Sequence, residues 1–168
     1  HAFESFPELK IRWTKPENLH ITWKFLGDIT EKRIQRLENE LEKAILHLKP
    51  VDLNFHQLSL WPTHQNPRLI VFESSVSDYL KENYICLERA FYNVGFKKEK
   101  RSFKPHVTLA RINLRKPLTT PLKLPEDSVI YPKLLSFHTL SIIKSELSQF
   151  GPTYTVIKEL RFDKKITC

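Results

Sequence analysis

Two tripeptides carry the chemistry that this sequence can offer: His20-Ile21-Thr22 and His106-Val107-Thr108. A histidine titrates at about 6.5, so a pair can supply both an acid and a base near neutrality. In-line displacement at phosphorus needs such a pair, because the attacking and leaving oxygens lie on opposite sides of the phosphorus atom. One ring would take a proton from the nucleophile, and the other would give one to the leaving oxygen. On an extended chain a threonine two residues further on projects from the same face. Its hydroxyl can donate to a non-bridging phosphate oxygen and hold the charge there. The scheme asks for no metal, and the sequence has no clustered His, Asp or Cys ligands to suggest one.

One such tripeptide would carry little weight. With seven histidines and eleven threonines in the chain, about half of one is expected by chance. Position strengthens the pair. Residues 19–26 alternate, with Leu19, Ile21, Trp23 and Phe25 on one side and His20, Thr22 and Lys24 on the other. That pattern predicts a half-buried strand ended by Gly27. Residues 105–111 repeat it, with Val107 and Leu109 opposite His106 and Thr108, and a Lys-Pro pair precedes each tripeptide.

The remaining elements must position these residues. A helix is predicted after Gly27, capped by Asp28 or Thr30 and carrying Ile34, Leu37, Leu41, Ile45 and Leu48 on one stripe until Pro50. Val51, Leu53 and Phe55 begin a strand that continues to Leu60 and breaks at Trp61-Pro62, and Arg68 to Glu73 form another. A second helix, capped by Asp78, turns Leu80, Leu87, Phe91 and Val94 to one side and stops at Gly95. Residues 114–132 read as an irregular excursion. Two final strands, around 134–145 and 153–162, are joined by a turn at Gly151-Pro152. Two strand–helix units predict an internal pseudo-repeat in which each half supplies one His-x-Thr strand.

Composition narrows the function. The chain has 168 residues, enough for one domain or two small lobes, and a net charge of +8 that favours polyanionic partners. Only three glycines are present, Gly27, Gly95 and Gly151. A Walker loop or a dinucleotide fingerprint needs two or three in one short window, so side chains must do the work at any phosphate. Cys86 and Cys168 form neither a disulfide framework nor a zinc spacing. No apolar run suggests a membrane span and no signal peptide is evident, which predicts a cytoplasmic protein. Plainer readings stand beside these: Lys97, Lys98, Lys100 and Arg101 as a solvated loop, Trp61 and Phe103 as packing, Tyr154 as a strand-start aromatic, and Arg111 as an exposed strand end.

Residues 13–27 resemble the first signature of the RNA 2′,3′-cyclic phosphodiesterases, also called the 2′-5′ RNA ligase family, of the two-histidine phosphoesterase superfamily. Residues 103–111 match the second signature, residues 67–72 resemble the middle strand, and Ser145 through Gly151, Pro152, Thr153 and Tyr154 resemble the C-terminal signature. The resemblance implies an α+β fold of two pseudo-symmetric lobes of antiparallel sheet, with outer helices around a central cleft and one His-x-Thr from each lobe. It implies that His20 protonates the leaving 3′ oxygen and that His106 activates water. Thr22, Thr108 and Arg111 would bind the phosphate, no cofactor or metal would be needed, and the product would be a 2′-phosphomonoester. With an RNA 5′-hydroxyl replacing water, the same groups would make a 2′-5′ linkage without ATP. The implied partner is RNA with 2′,3′-cyclic phosphate ends, tRNA halves among them, met by a monomer.

Family members begin with a short strand and a helix before the first signature. Only residues 1–12 precede it here, and the chain contains no methionine. Residues 1–168 are therefore expected to be a single two-lobed domain without those elements, about twenty residues by ordinary element lengths. Two other readings share the same residues: a non-catalytic protein that holds RNA ends, and a superfamily enzyme acting on a nucleotide or ADP-ribose cyclic phosphate.

Overall fold

The structure is a computed structural model that describes residues 9–114, 116, 118–122, 124, 134–148 and 151–162. The elements run β1 (Lys10–Trp13), a 3-10 turn (Pro16–Asn18), α1 (Glu31–Ile45), β2 (Val51–Leu53), β3 (Phe55–Trp61), β4 (Leu69–Ser74), α2 (Asp78–Asn93), β5 (His106–Asn113), β6 (Leu135–Phe137), β7 (Thr139–Ser148) and β8 (Gly151–Arg161). Antiparallel pairing together with α1 and α2 makes this the α+β class expected. The chain divides into two units, each gathered from three stretches. One comprises His1–Thr22, Asn54–Ser75 and Lys104–Leu135; the other comprises Trp23–Leu53, Val76–Phe103 and Ser136–Cys168.

The first unit is built on a four-stranded antiparallel sheet in the order β1-β5-β4-β3. Leu60 lies opposite Ile70, Ile70 opposite Ala110, and Ile11 opposite Ile112. Leu60, Ile70, Ala110 and Ile112 join Leu114, Leu118 and Leu122 in a buried cluster, with Leu9 and Ile11 against it. Burying each large side chain contributes about 1.5–3 kcal/mol. The apolar face therefore sets which side of every strand turns inward.

One irregularity decides where β5 points its polar residues. Ile70 pairs with Ala110 but Val71 pairs with Thr108, so Leu109 is an extra residue in β5. A bulge of this kind shifts the side-chain alternation by one. Without it, Ala110 and Ile112 would fall on the side of His106. With it they enter the core, and Arg111 instead joins His106 and Thr108 on the opposite face.

The second unit holds α1 and α2. In α1, Leu37, Leu41 and Ala44 are buried along the stripe that the sequence predicts. Thr30 occupies the N-cap position, and Arg33 donates to the Val94 carbonyl with its guanidinium over the Phe96 ring. The start of α2 differs from expectation. Its cap is Ser77, whose hydroxyl accepts the Leu80 N–H at 3.2 Å, while Asp78 is the first helical residue. A serine serves here because its short side chain folds back onto the open N–H groups, contributing about 1 kcal/mol. The C-terminal stop is as predicted. Gly95 takes φ +85°, its N–H reaches the Tyr92 carbonyl, and the Phe96 N–H reaches Phe91. Phe96 then packs edge-on against Phe91, completing a Schellman ending.

Two further expectations change. The strand from Val51 is two strands, β2 and β3, separated at Asn54, and β2 pairs with β6 rather than within the four-stranded sheet. Gly151 and Pro152 are not a turn but the start of β8, opposite Ser148 and Leu147. Most of the excursion predicted for residues 114–132 lies outside the described residues.

Candidate active site

Residues 19–26 do not form the predicted strand. Their ladder is a single antiparallel bridge, Ile21 to Val107. β1 already occupies that edge of β5 as far as Trp13 opposite Ala110, and Thr14 donates to the Leu109 carbonyl at 2.8 Å. Pro16 then opens the 3-10 turn, where Asn18 and Leu19 donate back to Lys15 and Pro16, and the chain leaves the sheet. It rejoins at Ile21. Leu19 and Phe25, placed on the apolar side by alternation, are exposed, Phe25 at 88%.

That one bridge is enough to assemble the two tripeptides. An antiparallel pairing of 21 with 107 sets residue 20 across from 108 and residue 22 across from 106. His20, Thr22, His106 and Thr108 thus share the face opposite the core, joined by Arg111 through the bulge. Both tripeptides belong to the first unit, whereas the resemblance implies one from each lobe. The reason is the return of residues 20–22 to the edge of β5.

The two rings are held in the same local way. His20 Nδ1 lies 2.7 Å from the Asn18 carbonyl and His106 Nδ1 lies 2.8 Å from the Lys104 carbonyl. A carbonyl oxygen only accepts, so Nδ1 carries the proton in this contact. The contact alone is not diagnostic, since His56 makes it to Asn54 at 3.3 Å. What distinguishes His20 and His106 is the shared face and the threonine beside each.

His106 has a neighbour that sequence reasoning treated only as packing. The Trp61 ring centroid lies 4.3 Å from that of His106, tilted by 48°, and the indole N–H donates to Glu73 at 3.0 Å. Glu73 pairs with His106 in the β4–β5 register, so carboxylate, indole and imidazole share one face. The signal was present in the sequence: Glu73 interrupts an apolar strand, and Trp61 ends the strand next to it. Phe103, by contrast, packs as expected. It stacks between Trp23 at 5.0 Å and Tyr84 at 4.8 Å in the second unit. Burial, followed by the charges of Glu88 and Glu99, holds the Tyr84 hydroxyl above its ordinary pKa.

Lys24, read as one more polar-face residue, is instead an anchor. Its ammonium meets Glu88 at 2.7 Å with both side chains nearly buried, and Glu88 also accepts the Glu99 N–H. A pair this desolvated is costly to break from one side, because the remaining charge is left without a partner. Among the described residues no three His, Cys, Asp or Glu groups lie together as a metal site requires. No helix among them is long and apolar enough to cross a membrane.

A family model described as LigT like Phosphoesterase matches residues 2–72. An RNA 2′,3′-cyclic phosphodiesterase of Methanocaldococcus jannaschii is 30% identical over 159 residues, covering 93% of this chain and 87% of that protein. One from Aquifex aeolicus is 30% identical over 165 residues, covering 90% and 83%. Among solved structures, TT0787 of Thermus thermophilus superposes with a TM-score of 0.75 at 21% identity, covering 96% of this chain and 86% of the other. E. coli LigT complexed with 3′-AMP gives 0.63 at 18% identity, covering 91% and 82%. The fold is shared with these two solved structures, and on the length and identity of the match to the Methanocaldococcus relative the chain belongs to the LigT-like phosphoesterase family.

Proposed function

We propose that this chain opens the 2′,3′-cyclic phosphate at RNA ends, leaving a 2′-phosphomonoester. The observation that carries the reading is the Ile21–Val107 bridge, which sets both His-x-Thr tripeptides on one polar face with Nδ1 of each ring tied to a carbonyl. His106 Nε2 takes a proton from water as its oxygen bonds to phosphorus. The bond from phosphorus to the 3′ oxygen breaks, and His20 supplies the proton that the departing oxygen needs. His106 must therefore start neutral at Nε2 and His20 protonated there, and both states keep Nδ1–H on its carbonyl. Thr22 and Thr108 hydroxyls and the Arg111 guanidinium stabilise the negative charge on the non-bridging oxygens. No step passes through a metal.

The relatives named RNA 2′,3′-cyclic phosphodiesterase support RNA as the substrate class. We extend the reading to tRNA halves as natural ends, to a cytoplasmic monomer acting as one two-lobed domain, and to slow 2′-5′ joining when an RNA 5′-hydroxyl replaces water. The test is hydrolysis of an oligonucleotide ending in 2′,3′-cyclic phosphate, followed by mass and by identification of the product isomer. A gain of one water with the phosphate on the 2′ oxygen is expected. Binding without a mass change would return the protein to the class of RNA-end binders. Turnover of ADP-ribose cyclic phosphate alone would move it to a nucleotide substrate.

A further inference from the structure

The polar face of the four-stranded sheet continues beyond the histidines, and its next pair is an unusual one. Arg12 of β1 lies directly opposite Arg111 of β5. Leu9 and Ile11 pack against the core cluster, so the alternate residues Lys10 and Arg12 fall on the other side, with Arg111, Thr108 and His106. All three cations are exposed. Like charges set across an antiparallel pair repel each other. Among the described residues neither arginine has an acidic partner to relieve this. A phosphate between or beside them would.

We infer that Arg12, with Lys10 behind it, binds the internal phosphodiester next to the reacting end, so that the substrate is an oligonucleotide strand rather than a free cyclic nucleotide. The inference rests on the reading that His20, His106 and Arg111 hold the terminal phosphate. Arg111 stands at the junction, three positions beyond Thr108 on β5 and across from Arg12. Arg12 and Lys10 are two residues apart on one face, about 7 Å along the strand. That spacing is comparable to the step between successive phosphates of an extended RNA strand. A guanidinium can also fork onto two oxygens of one phosphate, which suits it to holding the backbone without reading sequence.

The experiment compares kcat/KM for a pentanucleotide ending in 2′,3′-cyclic phosphate with that for a 2′,3′-cyclic mononucleotide, in wild type, Arg12→Ala and Arg12→Lys. Circular dichroism and melting confirm the fold of each. Arg12→Ala is expected to lower the ratio of the two about tenfold, through KM of the oligonucleotide. It should also flatten the dependence of log KM on log salt by about 0.7, the share of one phosphate on a single strand. Arg12→Lys should restore most of that slope, because it keeps the charge. An unchanged ratio, whether both substrates fall together or neither moves, overturns the inference. If wild type turns over neither substrate, it is the hydrolytic reading that fails. The anion site is then read by titrating a pentanucleotide 3′-phosphate, and equal affinity in wild type and Arg12→Ala would overturn it.

Discussion

His20 and His106 present the same local geometry, a ring tied through Nδ1 to the carbonyl two residues back, on supports that could hardly differ more. His106 opens an eight-residue strand with β4 on one side and β1 on the other, and buried Pro105 behind it accepts the Ser74 N–H. Residues 20–22 have one bridge and a preceding 3-10 turn. The chain then enters the second unit at Trp23, where the ring stack with Phe103 and the buried Lys24–Glu88 pair hold it. A strand in the middle of a sheet orients its side chains through the ladder. A segment off the ladder depends on the turn before it and on its single bridge.

The largest expected effect leaves the comparison symmetrical. Alanine at His20 or at His106 should lower kcat by about a thousandfold, within the range for losing a general acid or base. The melting temperature should stay within a few degrees in both. A large loss at one histidine only would show that one ring does both proton transfers.

Proline separates the supports. At Ile21 it disturbs only the bridge, so kcat should fall about a hundredfold by misplacing His20 and Thr22, while the protein still melts cooperatively. At Val107 proline enters an interior strand and should unfold the first unit. If both variants melt alike, the single bridge contributes more to stability than its isolation suggests.

Valine at Thr22 or at Thr108 keeps the shape and removes the hydroxyl donor. About a tenfold loss in kcat is expected for each, the consequence of one missing hydrogen bond to a charged oxygen. Unequal losses would show that the phosphate leans toward one segment. Trp61→Phe is expected to act on one side alone. It retains an aromatic ring beside His106 but loses the bond to Glu73, so kcat should fall a few-fold. The limb of the pH–rate profile that His106→Ala abolishes should move, with the His20 limb unmoved.

The smallest effect concerns the anchor. Since burial raises the Tyr84 pKa, the folded chain holds that proton more tightly than the unfolded one. Its contribution to stability is complete below about pH 10, the unfolded value, and is lost as pH rises through the folded value. Alkaline melting of wild type against Tyr84→Phe should diverge only there.

Much of the arrangement was legible before folding. The helical stripe of Leu37 and Leu41, the Gly95 stop, and the alternating segment around His106 were all readable, because each depends on neighbours within a few residues. Residues 19–26 misled for a physical reason. Alternation reports that a chain could present two faces, not that a partner strand is vacant, and β1 had taken that edge. Leu109 offered no local sign that it would become the extra residue of a bulge. Arg111 reads as an apolar-side residue if alternation runs unbroken, and only the core's demand for Ala110 and Ile112 reverses it.

From the sequence alone came the candidate reactive groups and the chemistry proposed for them: two histidines, each with a threonine two residues on, in a basic chain with too few glycines for a backbone phosphate cradle. Residue type and short spacing are sufficient for that, since they set pKa class, hydrogen-bonding capacity and side-chain direction. Only the tertiary structure could decide that residue 21 meets residue 107, that Trp61 and Glu73 stand beside His106, and that Arg12 faces Arg111. Those are long-range pairings, settled by which apolar faces must be buried together and which strand edges remain to be filled.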